Sequence, residues 1–191
     1  MAHQVAARLE GQSTALTLDS YYRGQSDRLL AERAKLNYDH PDALDWLLLR
    51  QHLSALAGGE AIDEPVYRFD LHTRAAETRR VHSAPFIILE GILALHCAEI
   101  RDVLDLKVFV VTDPSECLRR RMERDIAERG RTRASVMEQY ESTVWPMALE
   151  YVLPSRVYAD LIVSGEEPID QGADQVLRRI ALLTQRQAAT A

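Results

Sequence analysis

Lysine is nearly absent from this chain: of its 23 basic residues only Lys35 and Lys107 are lysines. Any cationic site must therefore be built from arginine, whose planar fork matches carboxylate and phosphate oxygens. Neither lysine follows a glycine, and no GxxxxGK loop occurs in the 191 residues. These residues thus hold no glycine-rich cradle of N–H groups for a phosphate. Cysteine is limited to Cys97 and Cys117, with no CxxC or Cys/His spacing. That excludes a disulfide framework and a zinc site, and both residues read as small thiols in a reducing compartment. No apolar run approaches the roughly 20 residues that cross a bilayer. The opening MAHQVAARLEG lacks the apolar centre of a signal peptide. The expectation is a soluble, cytoplasmic protein with no membrane partner. An excess of positive charge is missing too. Twenty-nine acids against 23 bases give a net charge of −6, the wrong sign for a general nucleic-acid binder. A local arginine cluster can still take a small anion.

What is present is ordinary globular composition, 47% hydrophobic and 27% charged. The length suits one domain at about 150 residues each, enough to bury about 70% of the unfolded surface. Val5 and Leu9 mark a helix over residues 1–10 that Gly11 stops and that has no N-cap before it. Ala15–Leu18 reads as a short apolar strand ending at Asp19, and residues 20–41 as polar and irregular. Asp42 or Asp45 can cap a helix carrying Trp46, Leu49, Leu53 and Leu56, ended by Gly58 and Gly59. Residues 61–82 alternate like short strands outside the main sheet. Phe86–Leu89, Val108–Val111 and Leu161–Val163 are continuous apolar strands. Asp113-Pro114-Ser115-Glu116 is a strong helix start, with the helix running to Gly130. Further helices are expected over about 133–150 and around Val176, Ile180 and Leu183.

Short apolar strands alternating with helices predict an α/β fold, a parallel sheet covered on both faces. Ligands in such folds sit at the carboxyl ends of strands. Asp19, Glu90 and Asp113 stand at strand ends, and two carboxylates at one edge suggest a magnesium and phosphate site. Each motif also has a plain structural reading. Asp19 in LTLDSYY can orient a hydroxyl or cap a turn. Glu90 in FIILEG resembles the acid of a Walker B strand, yet many strands end in Glu. Arg121, Arg124, Arg129 and Arg131 suit phosphate oxygens, or else lace a solvated helix through Arg121–Asp125 and Asp125–Arg129 pairs. For Arg119, Arg120 and Arg133 the solvated reading is the stronger. NYDHPDALD can be a capped turn, and Tyr67 and His72 can be strand packing and a surface His.

In order along the chain, LTLDSYYR, NYDHPDALDW, PVYRFDLHTR, FIILEGILAL, RDIAERGR and YADLIV resemble the uridine–cytidine kinase family of P-loop kinases. The resemblance runs from about residue 15 to 165, and the DHPDALD and ERGR phrases are specific to that family. It implies a P-loop kinase-like parallel sheet within a single domain, a β-hairpin nucleoside insertion over 61–82 and an Arg-rich lid over 119–133. It implies transfer of phosphate from ATP or GTP, with Mg2+, to the 5′-hydroxyl of uridine or cytidine. Asp19 matches the general base and, with Glu90, the magnesium acids. Tyr22, Tyr38, Asp39, Tyr67 and His72 match the nucleoside pocket. Arg121, Arg124, Arg129 and Arg131 match the lid and substrate arginines, with Arg124 and Arg129 toward the donor phosphates and Arg124 also catalytic. Gln139 matches a further nucleoside contact. A homotetramer is implied as well.

The chain departs from the family at its start, where a strand and a GxxxxGK phosphate loop are usual. Residues 2–10 look like the helix that follows that loop. The expectation is a start about 15–20 residues further upstream, room for one strand and its loop. The alternatives are a short form that binds nucleosides without catalysis, or another small-molecule kinase of the phosphoribulokinase and uridine kinase superfamily. The family strand would lie between the strands at 86–89 and 108–111, so each of these is expected to have one edge without a ladder partner. Leu18 and Arg68 also stand where the family usually has a polar and an acidic residue.

Overall fold

The structure is a computed structural model that describes residues 1–190, the side chains at 187 and 190 excepted. It divides into two compact units, Met1–Asp105 and Leu106–Ala191.

The first unit opens with α1 (Ala2–Arg8) and β1 (Ser13–Thr17). No side chain caps α1, as its sequence implies. β1 is one residue shorter at its end than the apolar run suggests. Leu18 belongs instead to a 3-10 turn, Leu18–Tyr21, because the Thr17 hydroxyl accepts the Asp19 N–H and bends the chain there. The short α2 (Leu30–Arg33) lies in the stretch read as irregular. α3 (Trp46–Ala57) is capped by Asp45, which accepts the Leu48 N–H at 3.2 Å. Its buried Leu49, Leu53 and Leu56 recur at helical spacing and pack toward β2 and β4. β2 (Ile62–Arg68) and β3 (Thr73–Val81) form an antiparallel hairpin. Its register shifts between Pro65 and Tyr67, as expected where a proline cannot donate to the ladder. β4 (Phe86–Glu90) runs parallel to β1, from Ser13 opposite Phe86 to Thr17 opposite Glu90. α4 (Ala98–Arg101) closes the unit. β4 reads as a strand buried on both faces, yet all five of its residues are half-buried. Among the described residues it has one ladder partner, so one edge stays outside any sheet.

The second unit pairs β5 (Val108–Val111) in parallel with β6 (Leu161–Ser164). Each has only that partner among the described residues. α5 (Pro114–Arg129) starts as its sequence implies, Asp113 accepting the Ser115 N–H with Pro114 at the first position. Gly130 ends it in the left-handed region at φ 62°. The helix expected over about 133–150 is α-helical only through α6 (Arg133–Gln139) and α7 (Trp145–Met147). Wide π turns fill Tyr140–Val144 and Ala148–Val152. Pro146 lacks an N–H and its ring clashes with the preceding turn, so the ladder widens around it. α8 (Ile169–Thr190) completes the chain. No helix is long and apolar enough to cross a membrane among the described residues.

Candidate active site

In the first unit the parallel register sets two carboxylates at one strand edge. Glu90 is the last residue of β4 and stands opposite Thr17, two residues before Asp19. Gly91 is what allows the two segments to meet. A Cβ there would lie 2.6 Å from Leu18 Cβ, and its φ of 149° is one that side chains rarely adopt. Asp19 and Glu90 are hard oxygen donors and fit a magnesium ion, which needs one or two carboxylates and completes its shell with phosphate and water. Among the described residues no group of three or more His, Cys, Asp or Glu forms a cage for a metal. The third strand-end acid, Asp113, is committed to its helix start, which lowers its pKa.

An aromatic wall follows directly from the Asp19 turn. Tyr22 packs against Tyr67 and Tyr38, with ring centroids 5.1 and 5.5 Å apart. Tyr38 stacks on His72 at 5.6 Å and 21°. The Tyr38 hydroxyl donates to the Arg33 and His72 carbonyls at 3.1 and 3.3 Å, which fixes the ring across two segments. His72 holds a positive φ of 48° at the hairpin tip, a costly conformation for a non-glycine residue. Burial pushes the His72 imidazole below its ordinary value and the Tyr67 phenol up. Burial thus disfavours the charged form of both groups, which suits contact with an uncharged ligand. Asp39 is half-buried, its N–H held by the Asn37 side chain. The DHPDALD phrase forms the capped turn its bland reading suggests, His40 accepting the Asp42 N–H. The structure thus gathers Tyr22, Tyr38, Tyr67 and His72 in one cluster.

The second unit holds the arginines. Asp125 is fully buried on α5, and four guanidinium groups converge on it. Arg124 Nε donates to it at 2.9 Å. Arg121, Arg129 and Arg131 lie 3.6, 3.5 and 3.8 Å away. Gln139 joins the same cluster by accepting from Arg121 at 3.1 Å and from Arg131. The left-handed Gly130 turns the chain so that the Arg131 N–H returns to the Asp125 carbonyl. The i,i+4 pairs read from sequence are real, but their shared carboxylate is a buried hub and not part of a solvated helix. Arg119 and Arg120 do form solvated pairs, with Glu116 and Glu123.

Sequence reasoning missed three contributors. Asp125 was visible only as a pairing partner, and its burial has no local signal. Gly91 follows the Glu90 strand with no sequence signal for the close approach of Leu18. Arg74 carries no pattern that marks it, yet from the neighbouring hairpin it donates to the Tyr21 and Tyr22 carbonyls.

Parallel strand pairs flanked by helices place the chain in the α/β class, and its fold is that of the P-loop kinase-like proteins. The Phosphoribulokinase / Uridine kinase family model matches residues 3–168, and the chain belongs to that family. Among similar proteins, Uridine kinase of Salmonella paratyphi B is 52% identical over 145 residues, 76% of this chain and 68% of that protein. Two solved structures share the fold at 16% identity. Phosphoribulokinase from Rhodobacter spheroides has a TM-score of 0.65 over 85% of this chain and 63% of its own. A possible uridine kinase from Bacillus stearothermophilus has 0.55 over 85% and 79%.

Proposed function

We propose that this protein phosphorylates the 5′-hydroxyl of uridine or cytidine, with ATP or GTP as donor. The observation that carries the reading is the short segment from Asp19 to Tyr22. It sets a carboxylate beside a strand edge and, three residues on, the first ring of an aromatic cluster with Tyr38, Tyr67 and His72. Tyr22, Tyr38, Tyr67 and His72 offer stacking and edge contacts to an uncharged pyrimidine, and Asp39 is the acceptor for ribose hydroxyls. Asp19 orients the 5′-hydroxyl and takes its proton as the new bond forms. Asp19 and Glu90 would hold Mg2+, which when bound neutralises charge on the donor phosphates. Within the second unit, Arg121, Arg124, Arg129 and Arg131 of the 119–133 lid are cations of the kind phosphoryl transfer uses, and Gln139 accepts from two of them. Phosphoryl transfer needs mainly such positioning and charge stabilisation.

The test is uridine- and cytidine-dependent formation of nucleoside diphosphate from ATP or GTP, by this chain and by a version extended upstream, beside calorimetry with uridine alone. Turnover with either pyrimidine nucleoside supports the reading. Uridine binding without turnover in both forms would replace it with a non-catalytic nucleoside binder. Turnover only with a sugar phosphate would move the protein elsewhere in its family. Sedimentation would test the expected homotetramer.

A further inference from the structure

We infer that Arg74 is a positioning residue: its guanidinium holds the turn that carries Asp19 and Tyr22, and so sets where both side chains stand. The catalytic part of this inference rests on the nucleoside kinase reading. Arg74 lies on β3 directly opposite Tyr67 of β2, so its side chain leaves the hairpin on the same face as that tyrosine. From there it reaches back across 52 residues of sequence. Its Nε donates to the Tyr22 carbonyl at 2.6 Å and its Nη2 to the Tyr21 carbonyl at 3.0 Å. Its Nη1 pairs with Asp45 at 3.3 Å. Asp45 in turn donates its own N–H to the Tyr21 carbonyl at 2.9 Å and caps α3.

The turn needs this support. A 3-10 segment of four residues leaves its last carbonyls without helical partners. Tyr22 meets Leu44 in a one-residue bridge, flanked by the bonds Arg23 N–H to the Ala43 carbonyl and Asp45 N–H to the Tyr21 carbonyl. Arg74 satisfies both carbonyls from a third element and is only 19% exposed. Its three nitrogens therefore face protein acceptors, two of them main-chain carbonyls of the turn itself. Lysine cannot replace it. One ammonium has no fork with which to span two successive carbonyls and a carboxylate.

The test compares Arg74→Lys and Arg74→Gln with Arg80→Ala, a control on the same strand whose exposed partner is Asp63. Two readouts are taken. Amide hydrogen exchange of the free protein follows segments 19–23 and 43–45, and steady-state kinetics follow uridine phosphorylation. Both Arg74 variants are expected to exchange faster in those two segments while the distant Ile62 and Val81 end of the hairpin keeps its protection. In the active enzyme kcat is expected to fall about 10- to 100-fold, the scale of an ångström-sized misplacement. KM for uridine should change less, and Arg80→Ala should match wild type in both readouts. Wild-type exchange in the Arg74 variants overturns the inference whatever the protein's activity. Loosened exchange with undiminished kcat overturns its catalytic part. If wild type turns over no pyrimidine nucleoside, the kinase reading falls, and exchange alone decides whether Arg74 holds the turn.

Discussion

In residues 1–105 the polar side chains around the candidate site mostly bond to main-chain atoms. Arg74 holds two carbonyls, the Tyr38 hydroxyl holds two more, and Asp45, His40 and Asn37 hold N–H groups. In residues 106–191 the charges of the arginine cluster meet one another, four guanidinium groups on one buried carboxylate. The two arrangements have different physics. Main-chain bonds fix geometry at modest net energy each, about 0.5–1.5 kcal/mol. A buried charge hub balances large desolvation costs against large attractions, so removing its single anion leaves several cations uncompensated. The first unit should therefore fail first in catalysis and the second first in stability.

The sharpest way to break that contrast is Asp19→Asn. Turnover should fall by about 10²- to 10⁴-fold, the worth of a general base, with uridine affinity by calorimetry unchanged. Undiminished turnover would remove Asp19 from the role. Asp125→Asn should act the opposite way. It should lower unfolding stability by less than the roughly 3–5 kcal/mol of a fully buried pair, because the four arginines are 19–43% exposed. Urea titration reads this, and a wild-type midpoint would mean the arginines organise without their anion. Gly91→Ala tests whether close approach matters in the first unit. The added methyl has no room beside Leu18, and overpacking of this kind costs about 1–3 kcal/mol. Its kcat should drop as well, because Glu90 and the Asp19 turn must separate.

A smaller effect concerns pH. The Tyr21 hydroxyl and His52 Nδ1 are hydrogen-bonded at 3.0 Å, and burial holds His52 below its ordinary value of 6.5. The unfolded chain thus takes up this proton at a higher pH than the folded one. Stability from this group is complete above pH about 6.5 and declines as pH falls through that value. Melting temperature should show this slope in wild type and a shallower one in His52→Gln. The smallest effect is expected from Arg119→Ala. Arg119 and its partner Glu123 are exposed and its other partner Glu116 is half-buried, so the melting temperature should stay close to wild type.

Much of this protein was legible along the chain because the rules that govern those features are local. Asp45 caps α3, Asp113-Pro114 opens α5 and Gly130 closes it, since each needs only a few neighbouring residues. The apolar runs at 86–89, 108–111 and 161–163 are strands for the same reason. The pairs Arg121–Asp125 and Asp125–Arg129 follow from helical spacing alone. Asp19 and Glu90 could be nominated in the same way, as acids at strand ends, whereas the roles of Tyr38, Asp39, Tyr67, His72 and Gln139 follow from the family resemblance alone. What needed three dimensions was burial, register and long-range bonding. The same i,i+4 pairs would be weak on a solvated helix and become a hub only because Asp125 is enclosed. The parallel register of β1 with β4 decides that Glu90 and the Asp19 turn share an edge, and the missing Cβ of Gly91 lets them approach. Arg74 meets Tyr22 across 52 residues, a contact no local pattern encodes, because the hairpin's docking sets it and not the identity of its neighbours in sequence.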